Sequence, residues 1–465
     1  MERLYDKLKA YSESDFYAFH MPGHKRNKAL LGIELPYDLD ITEIDGFDDL
    51  HHADGILKEE QERAARVFGA EESHFLVNGS TAGILSAVMG CTHRGDKILV
   101  ARHCHKSIYH AIYMNGLVPR YVYPEFDISM HMNGEISKED VAKALAAEPD
   151  IKAVVIVSPN YDGVVSDVKG IAEVAHSYRI PLIVDEAHGP HFGFHPAFPG
   201  RANDLGADVV INSLHKTLPS LTQTAILHIN GKIVNRRRIK KYLDMLQSSS
   251  PSYIFMASLD ACVDFVDGKC ENAFELYVER LQKPLQHLQI LRTEHYDISK
   301  VVISTANANI TSPELAERLR KEYHLEMEMT GGTYVLAMTT VADTQEGLDR
   351  LKAALLEIDG QLEAKTAVFG SIEISGELPR LEQYFTPQEA ADREEDGEAE
   401  EIPWKESEGH ISLEYAYLYP PGSPVIVPGE RISREAVELL CYYETQNLQI
   451  EGIQTEGKIK VWKHE

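Results

Sequence analysis

Between residues 96 and 229 the chain alternates short, continuously apolar runs with stretches whose apolar residues recur at helical spacing. The runs "DKILVA" (96–101), "IKAVVIVSP" (151–159), "IPLIVDEAH" (180–188), "ADVVINS" (207–213) and "TAILHI" (224–229) are rich in β-branched residues and predict buried strands. Between them, "SKEDVAKALAAE" and "SDVKGIAEVAHSY" open with serine caps and predict helices. Strands that are apolar on both faces and alternate with helices imply a mainly parallel sheet covered by helices, an α/β architecture. Ahead of this region, "ILKEEQERAARVF" (56–68) places Leu57, Ala64, Ala65 and Phe68 on one face of a further helix.

After about residue 270 the rhythm changes. "RLQKPLQHLQILRT" and "SPELAERLRKEYH" read as helices, "TYVLAMTT" as a strand and "TQEGLDRLKAALLEID" as an amphipathic helix. The expected organisation is an N-terminal arm (1–50), a large domain (51–270) and a smaller α+β C-terminal domain (271–465). Within the last, "EAADREEDGEAEE" (389–401) holds eight acids in thirteen positions, which predicts a solvated loop or partial disorder. No internal repeat is visible.

Composition adds bounds to this picture. A chain of 465 residues is too long for one ordinary core, in line with the two-domain reading. Its 46 basic and 73 acidic residues give a formal charge of −27. Such a surface repels nucleic acid and anionic membranes and attracts cationic solutes, although its plainest effect is solubility. No apolar run approaches the length that crosses a bilayer, and the amphipathic "MERLYDKLKAYSESDF" lacks the core of a signal peptide. The cysteines, Cys91, Cys104, Cys262, Cys270 and Cys441, show neither metal-ligand spacing nor a disulfide framework. A cytoplasmic protein with reduced thiols and no structural metal is expected.

Ligands of open α/β sheets bind outside the carboxyl ends of the strands, and four such ends here carry distinct chemistry. "NGSTAG" after "SHFLV" offers Gly79, Ser80 and Thr81 at a helix start, an anion site or else a plain N-cap. "RHCHKS" after "DKILVA" offers His105, aimed at a bound ring or else a surface histidine in a helix cap. Asp185 follows "IPLIV"; a buried carboxylate there needs a metal, a backbone cap or a cationic ring nitrogen. "NSLHKT" after "ADVVI" offers Lys216. Together these parts describe a pyridoxal phosphate site: a phosphate held at a helix start, a ring faced by an aromatic side chain, and an aspartate keeping the pyridine nitrogen protonated. A lysine amine, partly desolvated, forms the Schiff base.

The sequence also resembles the bacterial ornithine/lysine/arginine decarboxylases, of aminotransferase-like fold (fold type I), in their short biosynthetic-type branch. "SLHKTLPSLTQTA" is similar to their cofactor attachment signature. "FHMPGHKRN" (19–27), "DITEIDGFDDLHHADG" (40–55), "FLVNGSTAG" (75–83), "CHKSIYHA" (104–111), "VSPNYDGVVSD" (157–167), "VDEAHGPHFGF" (184–194), "SPSYIFMASLD" (250–260) and "YPPGSPVIVPGE" (419–430) extend the resemblance over most of the chain. It implies Lys216 as the Schiff-base lysine, Asp185 as the partner of the pyridine nitrogen, His105 stacked on the ring and His188 beside it. Ser80, Thr81, Ser213 and His215 would surround the phosphate, with Gly79 at the turn. It further implies a homodimer or higher homo-oligomer with shared sites, with "SPSY" (250–253) and "MPGHK" as contacts across it.

Three positions depart from the family pattern: Pro219, Ile211 and His103, which stands where asparagine is frequent. None removes a reacting group. The expected reaction is decarboxylation of a basic amino acid to a polyamine-pathway amine, arginine before lysine or ornithine. Candidates to hold its cationic end are Glu43, Asp45, Asp48, Asp49 and Glu430, each of which is as readily a turn cap. An aminotransferase or lyase on the same cofactor, or a silent regulatory homologue, are the alternatives. The proton donor to the α-carbon is Lys216 or a histidine such as His188.

Overall fold

The computed structural model describes residues 2–127, 132–285, 296–305, 308–362, 377–418, 422–445 and 449–463. Every apolar run of the α/β region forms a strand: Lys97–Ala101, Val154–Val157, Leu182–Asp185, Val209–Asn212 and Ala225–Ile229. With Glu72–Leu76 and Val118–Val122 they are the strands of the α/β region. Val118–Val122, "VPRYV", lacks the continuous apolar signal. It is an edge strand, where Pro119 removes no needed N–H donor.

The chain divides into two compact units, Met1–Cys91 with Pro181–Leu276, and Thr92–Ile180 with Tyr277–Glu465. In the first, the sheet order is Glu72–Leu76, Ala225–Ile229, Val209–Asn212, Leu182–Asp185. The last two run parallel, while Ala225–Ile229 is antiparallel to both of its neighbours. Helix Gly79–Cys91 packs on these strands, and its small residues let it come close. A Cβ on Gly83 would stand 2.6 Å from Leu76 Cδ1 and 3.3 Å from Ile211 Cγ2. Gly90 gives the same clearance to helix Arg236–Leu246, with Ile239 Cα at 2.9 Å. In helix Ile56–Val67, Leu57, Ala64 and Ala65 are buried as expected, with Phe68 just beyond its end.

In the second unit Val154–Val157, Lys97–Ala101 and Val118–Val122 are parallel. Helices Lys138–Ala147 and Val168–Ser177 pack on each other. Ser137 caps the first; the second is capped by Asp167, not by the serine before it, because the Asp167 carboxylate accepts the Gly170 N–H. The C-terminal part has an antiparallel sheet of Lys300–Ser304, Tyr334–Met338 and Met329–Thr330, flanked by helices Ser312–Tyr323 and Gln345–Asp359. "RLQKPLQHLQILRT" is helical to Leu285 and beyond that lies outside the described residues.

The acidic run is ordered rather than a loop. Pro387–Glu395 is a helix with a reciprocal Thr386/Glu389 capping box, and Ala399–Pro403 is a strand paired with Lys458–Trp462. Capping and pairing outweigh the charge density, and Lys460 Nζ approaches Glu394. Among the described residues no helix is long and apolar enough to cross a membrane.

Candidate active site

In the first unit, Leu182–Asp185 and Val209–Asn212 are in parallel register with Asp185 opposite Ile211, so the chain leaves both strands at one level. Asp185 and the segment 213–216 therefore emerge together. The Asp185 side chain is 3 % exposed, and its Oδ1 accepts the Ala187 N–H at 3.1 Å. Burial raises its pKa, against the opposing field of Lys216. Lys216 sits on a single helical turn, Leu214–Thr217, and its Nζ is 2.8 Å from His188 Nε2. His188 is itself buried.

The helix that would hold a phosphate begins at Gly79, whose φ of 75° lies in the left-handed region that glycine alone enters cheaply. Ser80 is half-buried and Thr81 exposed at this start. Ser213 is fully buried, and its Oγ has no hydrogen-bond partner among the described residues. His215 turns Nδ1 to the Thr224 carbonyl at 2.8 Å, and burial lowers its pKa.

His105, in the second unit, caps helix Lys106–Met114: its Nδ1 accepts the Ser107 N–H at 3.2 Å. The candidate substrate acids separate by environment. Asp48 takes backbone N–H groups of Gly55 and Leu57 at 2.9 and 3.0 Å, which hold its carboxyl below the usual range against burial. Asp49 caps a turn through the His51 N–H. Glu430 is buried in the second unit against Arg102, at 2.9 Å, and the Val427 N–H. These acids are committed to the protein's own donors. Asp45 is exposed; Glu43 accepts the Thr42 hydroxyl, while its Oε1 is buried without a partner among the described residues.

Ser252 caps helix Tyr253–Val266, and buried Tyr253 donates its hydroxyl to the Asp48 carbonyl at 2.5 Å, both within one chain. Sequence reasoning passed over Glu186, Asn212 and the His191–Thr217 contact at 2.9 Å. The available signal was an acid and a histidine inside an otherwise apolar stretch, "IVDEAHGPHFGF".

Comparison with known proteins agrees with this architecture. Residues 3–365 match "Orn/Lys/Arg decarboxylase, major domain" and residues 376–457 the C-terminal domain of that family. The chain is 33% identical to an arginine decarboxylase of Bacillus subtilis, over 97% of this chain and 95% of that one. It is 24% identical to a lysine decarboxylase of Pseudomonas aeruginosa, over 92% and 73%. The Escherichia coli constitutive lysine decarboxylase structure superimposes with a TM-score of 0.84 at 21% identity, over 99% of this chain and 82% of that one. An alanine–glyoxylate aminotransferase from Nostoc sp. superimposes at 0.54 and 16% identity, over 65% and 86%, which places the sheet within fold type I. The chain belongs to the ornithine/lysine/arginine decarboxylase family, enzymes that remove carbon dioxide from basic amino acids with pyridoxal phosphate.

Proposed function

We propose that this chain decarboxylates arginine, with Lys216 attaching the cofactor and Asp185 facing its ring nitrogen. The observation that carries the reading is the Lys216 amine, 2.8 Å from His188 Nε2 and within the field of a buried carboxyl, at the ends of two parallel strands. The residues fit the cofactor's polar features. Ser213 Oγ is a buried hydroxyl without a partner among the described residues, suited to a phosphate oxygen, and the helix start at Gly79 offers backbone N–H groups beside Ser80 and Thr81. Asp185, whose ionisation burial opposes, gains from a cationic ring nitrogen. Once bound, pyridoxal phosphate supplies the electron sink that makes loss of the carboxylate feasible.

The protein's own groups do the rest. Asp185 keeps positive charge on its partner nitrogen. Lys216 Nζ and His188 Nε2 share a hydrogen bond, so a proton can pass between them, and either delivers it to the substrate carbon. Glu43, with a buried oxygen that has no partner among the described residues, is the acid left to take a cationic side chain, and Asp45 the alternative. The ring-facing role that the resemblance implies for His105, and the phosphate contact for His215, belong to the same proposal. Arginine is preferred because the relatives at about one-third identity carry that name.

An exposed apolar segment supports a dimer reading. Phe16, Tyr17, Phe19, Met21 and Leu30 are 69%, 69%, 89%, 62% and 75% exposed, an apolar arm that a second copy would cover. Scattered cysteines without a disulfide framework suit a reducing cytoplasm, and the product would be a polyamine-pathway amine.

The deciding experiment measures carbon dioxide release from the holoprotein with arginine, lysine and ornithine separately, products identified by mass. Release from arginine is the expected result. Release from lysine or ornithine alone overturns the substrate. Silence with all three, from protein that binds the cofactor, overturns the reaction on basic substrates.

A further inference from the structure

Glu186 directly follows Asp185, and nothing in the chemistry above uses it. Its side chain is 3 % exposed. One carboxyl oxygen accepts the Ala202 N–H at 2.8 Å and the other the Asn212 side-chain amide at 3.0 Å. The same amide nitrogen also donates to the Glu186 carbonyl at 3.0 Å. Asn212 is the last residue of the strand leading to Ser213 and Lys216; Glu186 follows the last residue of the strand ending in Asp185. Side-chain bonds therefore tie two neighbouring strand ends just where the candidate cofactor residues leave the sheet.

All its bonding partners are neutral. The charged groups whose fields act on it are Arg201, which favours ionisation, and Asp204, which opposes it. These two pair with each other at 2.8 Å. Asp185 adds a second acid one residue away. A carboxylate here would be buried without a counter-ion, whereas a carboxyl group needs only neutral partners. Asn212 Oδ1 is buried with no donor among the described residues. Burial accordingly pushes Glu186 up to about 8.

We propose that Glu186 is a positioning residue which, held as the neutral acid, clamps the Asp185 strand end to the Lys216 strand end through Asn212 and so sets the spacing of that carboxyl and amine. The cofactor part of this inference rests on the reading of Lys216 and Asp185 given above; the clamp itself does not. Glu186→Gln keeps a neutral, hydrogen-bonding side chain, and Glu186→Ala removes it. The test follows thermal unfolding and visible absorbance of bound pyridoxal phosphate from pH 5 to 9.5, with kcat and KM at neutral pH.

A raised acid pKa makes the folded state lose stability as pH climbs from the ordinary carboxyl value through about 8. The wild type should show that decline, and Glu186→Gln should flatten it while holding kcat within about threefold. Glu186→Ala should bind the cofactor at least about tenfold more weakly, with kcat falling more than KM rises. If Glu186→Ala does not fold, the comparison of wild type with Glu186→Gln decides. An unchanged pH dependence in Glu186→Gln, or wild-type cofactor affinity in Glu186→Ala, overturns the proposal. Failure of the wild type to bind the cofactor would count against the site reading, while the unfolding curves would still judge the clamp.

Discussion

The amine of Lys216, the carboxyl of Asp185 and the hydroxyl of Ser213 make three separable demands. Lys216→Ala should abolish the visible absorbance of bound cofactor and lower kcat by at least about a thousandfold, the scale of losing an essential reacting group. Asp185→Asn removes the charge but keeps the shape; kcat should fall about a hundredfold or more with the fold intact by circular dichroism. Ser213→Ala deletes a buried hydroxyl that has no partner among the described residues, so it should cost no stability, yet weaken the cofactor roughly tenfold through loss of one phosphate contact. A Ser213→Ala protein that binds pyridoxal phosphate like the wild type would remove Ser213 from the phosphate site. At this scale the position of Lys216 and Asp185 at neighbouring strand ends was legible, because each follows a continuously apolar run. The sequence was least legible for acids: Asp48 and Glu430 stood open between substrate ligand and turn cap, and only coordinates reveal the Gly55 and Leu57 amides or the Arg102 guanidinium that bond to them.

Among the elements, the strands that were continuously apolar were all recognisable, because burial on both faces leaves no other pattern. Val118–Val122 was not, since an edge strand tolerates proline and half-buried positions. The acidic 389–401 run misled for a related reason: composition measures repulsion, whereas Thr386 and Glu389 cap the helix by a local pattern. Helix Gly79–Cys91 makes a sharper point. Its approach to the sheet depends on Gly83, where an added Cβ would meet Leu76 at 2.6 Å. Gly83→Val should lower stability by about 1–3 kcal/mol through overpacking, read as a drop in Tm, and displace Ser80 and Thr81 enough to weaken cofactor binding. A Gly83→Val protein with unchanged Tm would show that the helix can retreat from the sheet.

For the whole molecule, buried titratable groups set a pH window. Burial raises Glu60 to about 7 and Asp162 to about 6, each favouring the protonated, folded form, so stability drains away as pH rises past the ordinary carboxyl range toward those values. His103 and His228 are pushed down to about 4 and about 3, so their contribution is present at neutral pH and is lost as pH falls from about 6.5 toward those values. The opposed slopes partly cancel below pH 6, so Tm should fall once pH passes about 6 as Glu60 gives up its proton, and Asp162→Asn should lessen the loss between the ordinary carboxyl range and about pH 6. A Tm that climbs steadily to pH 9 would contradict the assignment. The exposed arm at 16–35 predicts association, and replacing Phe16 and Phe19 by serine should shift the sedimenting species toward monomer.

The antiparallel return of Ala225–Ile229 beside Val209–Asn212 also bears on how the chain folds. Asn212 pairs with Ile226, so the segment bearing Lys216 is closed by a contact near in sequence, at small entropic expense. Asp185 joins it only through the parallel pairing of Leu182–Asp185, which spans a longer crossover. The amine can thus be presented on a locally closed loop early in folding, with its carboxyl partner arriving later as the parallel pair forms.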